Sequence, residues 1–502
     1  MIAIQSESRL EVLREMALLL ERENRRLHER IQQLTLTLAR LQGQDGAAAL
    51  QMELEALKEL LSKREQALFG DSSEKRPHSA DSDSEVPAAE PNRRKGHGPR
   101  TQLALPVVEV LHVLDESSQG CPCCGGELAQ MKDQTEDADE ITVVERQFLV
   151  ARHRRQKYRC QCNGAVVTAP GPGKLIAGGR YSPAFAVEVA ISKYLDHLPL
   201  ERQSRIMRRE GLVVGSQTLW DQIDALAVHL EPTYRELGRR VLSAPLVHAD
   251  ETHWRLMSKS EGKKYWAWCL TSADTAYYRI FDNRATGSAQ QLLAGYRGTV
   301  VADGYSAYGS LARAGPGFKL AHCWAHVRRK FIEIEPHYPR QAREVLDLIG
   351  ELYAVERDVS ARSAENPDAA TLLALRAHGR AEVSRALIER IRHWAESQMV
   401  LPRSGLGQAI RYMRELWPGL TRFLDDPIIP LDNNPVERAL RGLVVGRKNH
   451  YGSRSRRGCE VAARLYSLIE TAKLCGAEPK SYLIRAISEA LNHPGAVTLP
   501  NS

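Results

Sequence analysis

No stretch of this 502-residue sequence approaches the 18 or more consecutive apolar residues of a membrane span, and its opening, MIAIQSESRL, is too polar for a signal peptide. Those absences point to a cytoplasmic protein with no membrane partner. Nine cysteines without an export signal argue against a disulfide framework. Strong charge of one sign is missing too, since a net charge of +7 decides little on this length. Its distribution says more. Arg152-His153-Arg154-Arg155, Arg205 to Arg209, Arg328-Arg329-Lys330 and Arg454 to Arg457 are basic clusters, which suit a polyanion partner, although solvated helix faces produce the same pattern.

The length exceeds one core, so several domains are expected. Leu10, Leu13, Ala17, Leu20, Asn24, Leu27, Ile31, Leu34, Leu38 and Leu41 keep a 3-4 alternation, the mark of a coiled coil over residues 1–70. Asn24 falls at an a position, where a buried amide favours an in-register parallel dimer. Gly43 to Gly46 breaks the seam, so a helical hairpin packing on its own chain is the other reading. Residues 71–100 are rich in Ser, Asp, Pro and Gly and read as a flexible linker. A cysteine-bearing module fills 101–170. Residues 181–240 read as helices: one opened by Pro183, one from Pro199 carrying Arg202, Arg205, Arg208 and Arg209, a turn at Gly211, and a third from Ser216. Helix, glycine turn, helix with a basic face is the helix-turn-helix pattern, and any small helical bundle can imitate it.

From 244 to 334 the texture changes to short β-rich runs at Leu246–Ala249, Tyr265–Leu270, Ala276–Ile280 and Thr299–Ala302. Three strands in sequence, a crossover helix and a fourth strand make an α/β core. Residues 335–425 return to helical periodicity as an insertion, and the core resumes over 426–475 before a C-terminal helix and tail at 476–502.

Cys121-Pro-Cys-Cys124-Gly-Gly and Cys160-Gln-Cys162-Asn-Gly look like two knuckles of one tetrahedral site, with Cys121, Cys124, Cys160 and Cys162 holding a structural Zn²⁺. One residue separates the second pair, and Cys123 can replace Cys121 or stand by. His322 and His326 stand at i and i+4, one face of a helix, but no Glu follows the first His as a zinc-protease motif requires. Polar residues near a site, or packing beside Trp324, explain them as well.

Three acids carry the sharper hypothesis. Asp250 closes the run Ala244–Ala249, Asp303 closes Thr299–Ala302, and Glu437 sits on the first turn of a helix entered through Asp432-Asn433-Asn434-Pro435. Two strand-borne aspartates and a helix-borne glutamate can clamp a pair of Mg²⁺ ions for phosphodiester chemistry. Arg441 and Lys448 recur on the Glu437 face and either hold phosphates or screen the acid.

In its motifs the chain resembles the transposases of the insertion sequence 66 group. The motifs run from Leu68-Phe-Gly-Asp-Ser-Ser-Glu74 and the first knuckle through Ser192-Lys-Tyr-Leu-Asp-His-Leu-Pro-Leu200, Asp250-Glu-Thr252 and Asp303-Gly-Tyr305. They continue through His322-Cys-Trp-Ala-His-Val-Arg-Arg-Lys-Phe331, Asp432-Asn-Asn-x-x-Glu-Arg438, Gly446-Arg447-Lys448-Asn449 and Tyr466–Lys473. The resemblance implies a ribonuclease-H-like core, a DDE triad of Asp250, Asp303 and Glu437, and two Mg²⁺ (or Mn²⁺) ions. It implies terminal inverted-repeat and target DNA as substrates, with Arg202, Arg205, Arg208, Arg209, Arg328, Arg329, Lys330, Arg441, Arg447 and Lys448 as DNA-contacting side chains. A nucleoid-associated dimer or higher oligomer and element-encoded accessory proteins are expected with it. The competing expectation is a non-cutting dimeric zinc-containing DNA-binding relative. A zinc hydrolase centred on His322 and His326 is a third.

Overall fold

The computed structural model describes residues 147–159, 165–257, 264–314, 317–364 and 368–501, with isolated positions before 147. The chain divides into two compact units, residues 1–70 with 147–502, and residues 71–146. Cys121, Cys124, Cys160 and Cys162 and the expected linker lie outside the described residues, as does most of the expected coiled coil. Its described positions between 22 and 37 and between 53 and 60 are helical. In the second stretch, Glu59 accepts a hydrogen bond from the Gly405 amide at 2.8 Å, so this segment packs on its own chain there.

An antiparallel ribbon comes first, β1 (Lys157–Arg159) against β2 (Val166–Thr168), with Arg159 opposite Val166. Four helices follow. In α1 (Pro183–Tyr194) Pro183 takes the first turn, where its missing N–H costs nothing, and Ser182 caps by accepting from the Phe185 amide. Next come α2 (Leu200–Arg209), α3 (Ser216–His229) and α4 (Glu231–Ser243). Gly211 makes the α2–α3 turn at φ +87°, which suits only glycine. Met207 packs inward from α2 while Arg202, Arg205, Arg208 and Arg209 face solvent.

The sheet is built from β3 (Leu246–Arg255), β4 (Lys264–Thr271), β5 (Ala276–Phe281), then α5 (Thr286–Leu292), β6 (Thr299–Ala302), α6 (Ser306–Arg313) and β7 (Lys319–His322). Its order is β5-β4-β3-β6-β7, antiparallel through the first three strands and parallel from β3 to β6 to β7. Two expectations change. A fifth strand, β7, adds an edge that four residues ending in the His-Cys motif do not advertise. And β3 does not end at Asp250 but runs on to Arg255, because its outer half still pairs with β4.

Both faces of the sheet are covered, and the pleat sorts the side chains. Val247, Ala249, Trp268, Leu270, Val300 and Ala302 pack with α5 and α6 on one side. On the other side Ala267, Cys269 and Tyr278 meet the flanking helices, and Val301 and Ala321 meet the insertion. That insertion begins from α7 (Trp324–Ile334) and comprises α8 (Pro339–Ala364), α9 (Ala369–Gly379), a π-helical turn (Arg380–Ser384), α10 (Arg385–Ser397), α11 (Gly405–Glu415) and the short α12 (Trp417–Leu420). His322 thus ends a strand while His326 rides α7, so they do not share a helix face as the i, i+4 spacing suggested.

Three helices close the chain: α13 (Asn434–His450), α14 (Arg456–Leu474) and α15 (Pro479–Asn492). An edge strand leaves a row of unpaired backbone groups. Here α14 covers it, since Ser467 Oγ accepts from the Tyr278 amide at 2.9 Å and Thr471 Oγ1 from the Ala276 amide at 3.1 Å. No helix among the described residues is long and apolar enough to cross a membrane.

Phe331 is fully buried where α7 meets the insertion, edge-on to Trp394 with ring centroids 5.6 Å apart. Phe331→Ala is expected to cost about 3–5 kcal/mol, read as a lowered urea midpoint of tryptophan fluorescence.

Candidate active site

Parallel pairing sets His248 opposite Val301. Beyond that pair, Asp250 on β3 and Asp303 just past β6 are close enough for the charges of Asp303 and of Glu437 on α13 to act on the Asp250 carboxyl. The pleat sends Glu251, next in sequence, to the opposite face. There its side chain is wholly buried and fully bonded: Arg284 Nη2 lies at 2.7 Å and Nε at 2.8 Å from Oε1, and Tyr308 donates to Oε2 at 2.7 Å. Adjacent acids thus have different environments. Asp250 keeps only its neighbour's amide, Glu251 N donating to Oδ1 at 2.8 Å. Asp303 accepts from the Tyr305 amide at 2.9 Å, and its carbonyl receives His322 Nδ1 at 3.2 Å. Between those two residues Gly304 is required: a Cβ there would meet the Tyr412 ring at 2.7 Å.

The third acid arrives on α13. Pro435 opens the helix and Glu437 occupies its first turn, where the positive end of the helix dipole favours a carboxylate. Asp432 closes the approach by accepting from Asn434 N at 3.1 Å and from its side-chain Nδ2 at 2.7 Å. Asn433 is completely buried. Its Oδ1 receives the Nδ1 proton of His248 at 2.9 Å, its Nδ2 donates to the Ala249 carbonyl at 2.9 Å, and its amide points at Cys323 Sγ at 3.2 Å. The side chain therefore ties the entry of α13 to β3, and the backbone amide of the same residue ties it to the β7–α7 junction.

Around Glu437, Cys323 and His326 offer a sulfur and a ring nitrogen, and the three ligand atoms lie within 4.8 Å of one another. His326 Nε2 is 3.8 Å from Glu437 Oε1, and Arg329 Nη2 is 4.0 Å from Oε2. The structure brings the three acids into one electrostatic group. Burial, then the charges of Glu251, Asp303 and Glu437, push the Asp250 carboxyl up to about 8. Burial of His248 lowers it to about 4, so the ring that meets Asn433 is neutral. The donor set fits a divalent cation: among the described residues Glu437 Oε1 is buried without a hydrogen-bond partner beside Cys323 and His326, and the acids around Asp250 crowd negative charge that a proton or a cation would relieve.

The expected basic residues divide into groups. Arg329 reaches Glu437, while Lys330 pairs with Glu333 at 3.1 Å and Arg328 is half-buried. Arg447 is committed to β3, donating to Thr252 Oγ1 at 3.1 Å and to the His253 carbonyl, so it braces the strand instead of standing free. Arg441 and Lys448 are exposed on α13. Sequence reasoning passed over Asn433, which it treated as part of the helix entry, and left His326 in the second rank. A run of three polar residues, Asp432-Asn433-Asn434, between apolar Leu431 and a proline-opened helix was the available signal for the first.

A mixed sheet flanked by helical layers and carrying a buried group of acids defines a multidomain α/β protein. The model of the transposase IS66 family matches residues 178–461, and that of the zinc-finger binding domain of transposase IS66 matches 118–163. The chain belongs to the IS66 family of transposases. Among its relatives in Sinorhizobium fredii (strain NBRC 101917 / NGR234), the uncharacterized protein y4jD is 32% identical over 79% of this chain and 78% of its own length. The uncharacterized protein y4qI is 31% identical over 80% and 75%.

Two outcomes follow from this geometry. Asn433→Ala should strip partners from His248 and the Ala249 carbonyl while keeping the backbone amide's bond to Cys323, at about 1–3 kcal/mol for each buried group left bare, seen as a lower melting temperature and weaker Mn²⁺ binding by calorimetry. An acid whose folded pKa lies above its unfolded value withdraws stability as it ionises. Without divalent cations, stability should fall as pH rises from about 4, the ordinary carboxyl value, towards about 8, and level off above. Asp250→Asn should therefore raise the melting temperature at pH 8 and leave it nearly unchanged at pH 4.

Proposed function

We propose that this protein is a DDE transposase: it binds terminal inverted repeats, cleaves a DNA strand and joins the freed end to target DNA in a divalent-cation-dependent reaction. The observation that carries the reading is the acid group itself, Asp250 raised to about 8 beside Asp303 and Glu437, with a bare carboxylate oxygen on Glu437. The strand order supports it, since an antiparallel meander followed by two parallel strands suits the ribonuclease-H-like core expected for the family.

Asp250, Asp303 and Glu437 would hold Mg²⁺ or Mn²⁺, with His326 beside Glu437. When bound, the cations supply Lewis-acid activation of the nucleophile and charge neutralisation at the leaving oxygen. The chain's own residues do the rest. Asn433 fixes the distance between the Asp250 strand and the Glu437 helix. Arg329 and the exposed Arg441 and Lys448 set positive charge where phosphates approach. In cleavage a water oxygen bonds to phosphorus as the bond to the 3′ oxygen breaks, and the 3′ oxygen leaves with a proton. In joining, that 3′-hydroxyl attacks a target phosphodiester and displaces another 3′ oxygen, with the water's place taken by the hydroxyl. Arg202, Arg205, Arg208 and Arg209 present a basic helix to DNA. Cys121, Cys124, Cys160 and Cys162 of the matched zinc-finger region are the thiolates for a structural zinc. Dimerisation through the N-terminal heptads and element-encoded accessory proteins belong to the same reading.

A supercoiled plasmid carrying the element's terminal repeats provides the test. With Mg²⁺ the wild type should nick or linearise it at the ends, and Asp250→Ala, Asp303→Ala and Glu437→Ala should each lower cleavage by at least about a thousandfold while end binding persists. Full activity in any of the three variants would remove that residue from the triad. Binding without cutting by the wild type would favour the DNA-binding relative.

A further inference from the structure

A second site lies away from the acids. A groove of about 590 Å³ opens between α1, α2 and α3 on one side and the turn joining α13 to α14 on the other. None of Asp250, Asp303 and Glu437 lines it. Four cations do: Lys193, Arg202, Arg205 and Arg454. None of the four has a carboxylate partner among the described residues, although every long-lived cluster of like charge costs repulsion. The groove's acid, Glu201, spends its Oε1 on the Ser216 hydroxyl at 2.6 Å. Lys193 is the most telling member. It is half-buried in the groove wall with Nζ 5.5 Å from the Tyr194 ring centroid, and burial together with Arg454 lowers it to about 8. Four cations lining one groove without a carboxylate partner are arranged for an anion from outside.

Aromatic surface accompanies the charge. Tyr451, 61% exposed, stands at the groove rim in the left-handed conformation at φ 60°, which a bulky residue adopts only when its surroundings impose it. Trp220 is half-buried on the α3 side. A polycationic cleft beside an exposed ring is the arrangement by which proteins hold single-stranded nucleic acid, the phosphate in the charge and the base on the ring. The volume falls in the roughly 300–1,000 Å³ range of small-ligand pockets and excludes a duplex.

We propose that this groove captures one unpaired nucleotide of a DNA end, its phosphate among Lys193, Arg202, Arg205 and Arg454 and its base against Tyr451. The inference rests on the reading of the chain as a DNA-processing enzyme only in taking the nucleotide to be DNA. Two motif segments of the sequence, Ser192-Lys193-Tyr194 and Asn449 with the turn after it, thereby acquire a shared task.

The test uses the full chain carrying Asp250→Asn, without added divalent cation, so that binding is read apart from cutting. The probes are a fluorescein-labelled blunt duplex and the same duplex with a three-nucleotide single-stranded tail containing 2-aminopurine. The tail should tighten binding about tenfold and the 2-aminopurine should be quenched by stacking. Tyr451→Ala and Arg454→Gln, both at exposed positions, should each erase the preference and the quenching while blunt-duplex affinity stays within about twofold. Equal affinity for tailed and blunt DNA, or variants that weaken both alike, would overturn the proposal. A wild-type chain that fails to cut the repeat-bearing plasmid would count against the triad and leave this result intact.

Discussion

Everything at the acid centre depends on the side chain of Asn433. It holds a sheet strand to the entry of the helix of the third acid by hydrogen bonds in the buried interior, while the backbone amide of the same residue meets the strand-to-helix junction. Buried amides are costly unless satisfied and rigid when they are. This one is satisfied at both ends. Because its neighbours along the chain are fixed with it, the carboxylate four residues on has little freedom to wander from the aspartate beside Ala249. A site that must gather charges of one sign needs such a clamp, since repulsion would otherwise spread them.

The contrast between Asp250 and Glu251 shows how little separates a structural acid from a chemical one. They are adjacent in sequence, and both are shifted upward by burial. The pleat turns one toward Arg284 and Tyr308, which consume its oxygens. The other is turned toward like charges and left with one amide. An ionised carboxylate holding a single amide in a buried, acidic surrounding is destabilising, and such strained acids cluster at functional sites.

Much of this was legible in the residues. The apolar runs before Asp250 and Asp303 located two central strands, and Pro183, Gly211 and the Asn-Pro entry located helix boundaries, because those residues constrain backbone torsions directly. What stayed hidden depended on partners distant in the chain. Strand β7 is too short to show a period, and the extension of β3 past Asp250 exists because β4 pairs with it, which local composition cannot report. The spacing of His322 and His326 suggested one helical face, yet the helix begins at Trp324, between them. Arg447 looked like a free cation and is a brace, since its acceptors lie on β3 almost 200 residues earlier.

Helix α13 carries Glu437 on its first turn and ends at Tyr451, on the rim of the groove. Fourteen residues of α-helix at 1.5 Å each make a rod of about 21 Å. A stacked DNA strand advances about 3.4 Å per nucleotide, so the rod matches about six of them. A helix is stiff on this scale, and its far end is pinned to β3 by Arg447. The helix thus acts as a spacer: helical rise sets the interval between the Glu437 carboxylate and the Tyr451 ring, and adding or deleting a turn would change it without touching either end.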